Sequence, residues 1–120
     1  MTMHFGKVFK LRKLVEYEEG TVKKTPIMGN DQFKMMLLSF DKDAHLAEHK
    51  APGDALILAL KGKATLRYEG KNYHLEEGKS FFMKKGAVHD ITAHGKFKMQ
   101  LTIDLASTAS QSEVQPTQNA

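Results

Sequence analysis

The sequence predicts an all-β domain, a sandwich or a barrel, from three observations. Short apolar or alternating runs recur with turn signals between them roughly every 8–12 residues, the spacing of such folds. No segment sustains the 3.6-residue period of an amphipathic helix. Two runs, Phe33 to Phe40 and Ala55 to Leu60, are apolar at odd and even positions alike. Such strands need cover on both faces, from a closed or stacked sheet or from another subunit.

Taken in order, the first candidate strand is Val8 to Tyr17, closed by Glu19-Gly20. Thr21 to Met28 follows and turns at Gly29-Asn30-Asp31 into Phe33 to Phe40. After Ala51-Pro52-Gly53 come Ala55 to Leu60 and Lys63 to Tyr68, joined at Lys61-Gly62 by what reads as a tight hairpin. Glu69-Gly70 reads as a second hairpin, leading into Lys71 to Leu75. Glu77-Gly78 precedes Lys79 to Met83, and Lys85-Gly86 precedes Val88 to Ala93. His94-Gly95 then turns into Phe97 to Asp104, where Phe97, Met99, Leu101 and Ile103 share one face and Lys98, Gln100 and Thr102 the other. From Ala106 onward, ASTASQSEVQPTQNA has too little apolar surface to order itself. Residues 1–105 are therefore assigned to the barrel and 106–120 to a disordered tail.

A chain of 120 residues with 41% hydrophobic content supports one core and one domain. No apolar stretch serves as a signal-peptide core or crosses a bilayer, so no membrane association is expected. Cysteine is absent, which excludes disulfides, thiolate nucleophiles and zinc–thiolate sites and accords with a cytoplasmic location. The formal charge of +4 comes from lysines interleaved with apolar residues, the pattern of a solvated sheet face. Without a basic block or an aromatic RNA-binding motif, no nucleic-acid partner is expected.

Residues 43–93 resemble the two motifs of the cupin family. The first, Gly-x5-His-x-His-x3-Glu-x6-Gly, falls on Asp43, His49, Ala51, Ala55 and Gly62. The second, Gly-x5-Pro-x-Gly-x2-His-x3-Asn, falls on Gly78, Lys84, Gly86, His89 and Ala93. Spacing and order are kept over a chain that resembles a small single-domain cupin with degenerate metal-binding motifs. The resemblance implies a double-stranded β-helix, or jelly roll, and a homodimer. It also implies a metal held by three histidines and a glutamate inside the barrel. Here Ala51 and Ala55 replace two of those four ligands, leaving His49 and His89 as an incomplete set for a weakly held divalent metal.

The site expected from this is a mostly apolar pocket inside the barrel, where His49 and His89 approach each other beside Ala51, Ala55 and Phe82. Three functions stay open. The favoured one is binding of a small molecule with the two histidines as polar groups. The second is an enzyme, a metal-dependent oxygenase or isomerase or a metal-free one using a histidine as base. The third is a structural dimer with a vestigial cavity. Catalytic residues are not assigned. His45 and Glu48 are candidate rescue ligands, yet on a straight strand His45 lies about 13 Å from His49. His45-Leu46-Ala47-Glu48-His49 also matches the H-x-x-E-H peptidase pattern, which requires a helix that Pro52 and Gly53 disfavour. His4, His74 and His94 read as exposed, and Tyr68 and Tyr73 have no sequence signal placing them in the cavity.

Overall fold

The computed structural model describes residues 5–106. His4 and residues 107–120, the bulk of the expected tail, lie outside them. Seven strands pair antiparallel throughout: β1 (Val22–Gly29), β2 (Phe33–Phe40), β3 (His45–Lys50), β4 (Asp54–Tyr68), β5 (Lys71–Glu76), β6 (Ser80–Met83) and β7 (Val88–Asp104). The sheet order is β1-β2-β7-β4-β5, with β3 added on β7 and β6 on β4.

Two long strands form the spine. The lower parts of β7 and β4 pair with β2 and β6, respectively, through Phe40↔Phe97 and Leu56↔Phe82. Their upper parts pair with β3 and β5, through Leu46↔Ile91 and Leu66↔Tyr73. Between the two parts the β4–β7 register slips twice, at Ala59/Lys61 and at Lys61/Lys63. There the sheet folds over on itself. One buried cluster joins Phe40, Ile57, Phe97 and Met99 of the lower layer to Leu66, Leu75 and Ile91 of the upper layer. The result is the jelly-roll arrangement expected from the sequence.

Four local expectations are corrected. Lys61-Gly62 is not a hairpin and His94-Gly95 not a turn between strands, because β4 and β7 each run through them as one strand. Their glycines do adopt positive φ, +83° at Gly62 and +82° at Gly95, but they use it to bend a strand. Gly62 passes so close to the Lys96 carbonyl that a Cβ would collide with it. His45–Lys50 is a strand that the sequence did not mark. Val8 to Tyr17 is not a strand: it holds one 3₁₀ turn, Leu11–Lys13, closed by Leu14 N–H donating to the Leu11 carbonyl at 3.0 Å. Leu11, Leu14 and Val15 stand at i, i+3 and i+4, the spacing of a helical turn.

That segment crosses the outer face of the lower layer. Lys98, buried on that face, donates from Nζ to the carbonyls of Arg12 and Val15, both at 2.8 Å. The Tyr17 ring lies 4.7 Å from the same ammonium. Burial, with help from Lys61, holds the Lys98 pKa below its ordinary value. On the same face Ser39, the register partner of Lys98, and the neighbouring Leu37 are both fully buried. At Glu69-Gly70 the expected hairpin is present: Tyr68 pairs with Lys71, and both turn residues have positive φ, 49° and 83°. No helix among the described residues is long and apolar enough to cross a membrane.

Candidate functional site

The upper layer sets the site through strand parity. On β7, His89, Ile91 and Ala93 point inward; on β4, Ala64, Leu66 and Tyr68 do so. β3 meets this face with Leu46 opposite Ile91 and His49 opposite His89. A bulge between Leu46 and His49 keeps both on the inner side although they are three residues apart. His49, His89 and Tyr68 therefore form one row across β3, β7 and β4.

The two imidazoles touch, with ring centroids 4.3 Å apart and planes inclined at 58°. His49 is exposed, whereas His89 is only 3% exposed. Each ring is held in the same way. Nδ1 of His49 lies 2.9 Å from the Ala47 carbonyl, and Nδ1 of His89 lies 3.1 Å from the Ala87 carbonyl. A carbonyl only accepts, so each Nδ1 carries the hydrogen, and in the neutral ring Nε2 keeps a lone pair. The Lys84–Ala87 turn, closed by Ala87 N–H on the Lys84 carbonyl at 3.0 Å, places the acceptor for His89. Burial pushes the His89 pKa below its ordinary value, the Ala87 hydrogen bond opposes that, and His49 adds to it.

An aromatic cluster adjoins the pair. Tyr68 packs edge-on against Phe81 at 5.0 Å, and Tyr73 lies 5.0 Å from Phe81. The Tyr68 hydroxyl accepts the Lys84 N–H at 3.0 Å and retains its own proton. The sequence alone does not place Tyr68 and Tyr73 here. The signal was present, since Ala64, Leu66 and Tyr68 alternate along one strand, but it needed the strand's inner face to be known.

Of the residues expected at the site, the structure brings His49 and His89 together and buries Ala51 and Ala55. It does not bring Phe82, which is 69% exposed and pairs with Leu56 on the outer side. Phe81 and Met83 take the inward parity instead, and Met83 joins the core. His45 points outward and bonds the Thr92 hydroxyl at 2.8 Å, so the bulge does not recruit it. Because His45 to His49 is strand, the peptidase reading falls. His74 and His94 are exposed on the outer face, His94 in mid-strand at 2.6 Å from the Thr65 hydroxyl. An open depression beneath the β1–β2 hairpin, lined by Pro26, Met28, Asn30, Phe33 and Lys34, carries no comparable pair.

A metal of the kind the motifs imply does not fit these residues. Among the described residues no group of three or more His, Cys, Asp or Glu side chains is placed to hold an ion. The methyl groups of Ala51 and Ala55 stand where an imidazole and a carboxylate would be required.

Comparison with known proteins agrees with the architecture. Residues 36–105 match the Cupin domain family, and the chain belongs to that family. It is 32% identical over 81 residues to an uncharacterized protein of Aquifex aeolicus, covering 66% of this chain and 67% of that one. Its fold is similar to a cupin superfamily protein from Desulfitobacterium hafniense, with TM-score 0.81, 23% identity, and coverage of 86% and 94% of the two chains. A cupin 2 conserved barrel domain protein from Leptotrichia buccalis is 33% identical with TM-score 0.75, over 80% of this chain and 47% of that one.

Proposed function

We propose that the protein binds a small molecule at the mouth of the barrel, with His49 and His89 as its polar anchors. The observation that carries this reading is the touching imidazole pair, each ring fixed through Nδ1 and each neutral ring left with Nε2 as an acceptor. Apolar and aromatic neighbours with a few convergent polar groups are the usual makeup of such sites. Fragment screening by protein-detected NMR tests it. Shifts centred on His49, His89, Tyr68 and Phe81 are expected, and the His49→Ala variant should lose them. Shifts confined to other surfaces would overturn the reading. Metal-dependent catalysis is the weaker alternative, since two imidazoles are few ligands for a tightly held ion. One equivalent of metal in untagged protein, measured by elemental analysis, would reverse that preference.

We also propose that the protein is a homodimer through the outer face of its lower layer. Phe82, Leu56, Thr102, Met35 and Met28 follow one another across β6, β4, β7, β2 and β1. Phe82 and Met28 are 69% and 56% exposed and the residues between them half-buried, so the described residues leave this mostly apolar row incompletely covered. A two-fold partner presenting the same row would cover it. Light scattering is expected to give twice the chain mass, and the monomer mass for Phe82→Ser; a monomeric wild type would refute the proposal.

A further inference from the structure

The histidine pair restricts what can bind there, and this inference rests on the binding reading above. Both Nδ1–H groups are spent on backbone carbonyls. What remains on the neutral rings, whose centroids are 4.3 Å apart, is one Nε2 lone pair each and no imidazole hydrogen to give. An occupant must therefore supply the donors. A cation is poorly matched, because the inward positions flanking the row are Leu46, Ile91, Leu66, Ala93 and Ala64, with no carboxylate among them. Asp90, the nearest acid along β7, has the opposite parity, with Arg67 as its register partner on β4. A bare anion is matched worse, facing two lone pairs. The Tyr68 hydroxyl, which accepts from Lys84 and keeps its proton, offers one donor to a ligand oxygen. The rings of Tyr68, Tyr73 and Phe81 favour a planar apolar body.

We infer that the site selects a neutral planar molecule with two adjacent hydroxyl groups, the chemistry of a catechol ring, each hydroxyl donating to one Nε2. Burial of His89, which favours its neutral form, supports the same arrangement.

Three probes of similar size test this on metal-stripped full-length protein: catechol, phenol and 1,2-difluorobenzene, which offer two, one and no donors. Affinities measured by NMR titration should fall in that order, by about tenfold or more between the first and the last. His49→Phe, at an exposed position that tolerates change, should bring catechol down to the level of phenol. Nitrogen-15 spectra of the free protein should show both Nε2 atoms unprotonated. Equal binding of catechol and difluorobenzene at the site would overturn the donor requirement and leave the pocket standing. A hydrogen on either Nε2 would likewise overturn it. Failure of all three probes would overturn it too, and the fragment screen then decides whether the pocket reading falls with it.

Discussion

His89 is the residue whose burial has the clearest consequence. Desolvation depresses its pKa from the ordinary value near 6.5, so between the two values the unfolded chain binds more protons than the folded one. Stability from this group is therefore complete above about pH 6.5 and declines as the pH falls through that value. The melting temperature is expected to drop between pH 7 and pH 5, and to drop less in a His89→Phe variant. Parallel curves for the two proteins would contradict the assignment. The alanines permit a second test at the same scale. Ala51→His with Ala55→Glu restores the imidazole and the carboxylate of the motif at two buried positions. Without metal the buried carboxyl should destabilise the fold; with a divalent ion, stability should recover, because binding only the folded state shifts the equilibrium. Unchanged melting on adding zinc or manganese would show that the four positions do not converge.

At the scale of elements, glycine carried two meanings that the sequence cannot separate. Glu69-Gly70 reverses the chain, whereas Lys61-Gly62 bends one strand past the Lys96 carbonyl, and both glycines have the same φ of +83°. Turn chemistry is local, but the choice between hairpin and bulge is made by the long-range partner, here β7. At Phe81-Phe82-Met83 the difficulty is related: three apolar residues in a row conceal which parity faces in, and it is Phe82 that faces out. The histidines were legible because motif spacing survives in them even though two of the ligands do not. Gly62→Ala is expected to cost on the order of 2–3 kcal/mol, from positive φ and the collision together. Chemical denaturation measures this, with Gly70→Ala as the control that suffers the strain alone, since open space surrounds it. The N-terminal segment offers another test. Lys98→Met removes the donor for the carbonyls of Arg12 and Val15, at a cost of roughly 1–3 kcal/mol. Trypsin should then cut at Arg12 or Lys13 faster than in the wild type; equal rates would mean that the segment is held by something else.

For the whole molecule, the decisive feature is that β4 and β7 belong to both layers. In a sandwich of two separate sheets, one sheet is able to loosen while the other persists. Here every ladder in either layer, apart from the β1–β2 pair, has β4 or β7 as one of its rails. Opening one layer pulls directly on the strands of the other, so the core amides should behave as one cooperative unit. Native-state hydrogen exchange is expected to show Ile57, Leu66, Ile91 and Met99 exchanging with a common free energy equal to that of global unfolding. Amides of β1, tied to the rest through β2 alone, should open at lower cost. A partner docking on the lower layer or a ligand seated against the upper one would then slow exchange in both layers together, and each would tighten the other's grip without any contact between them.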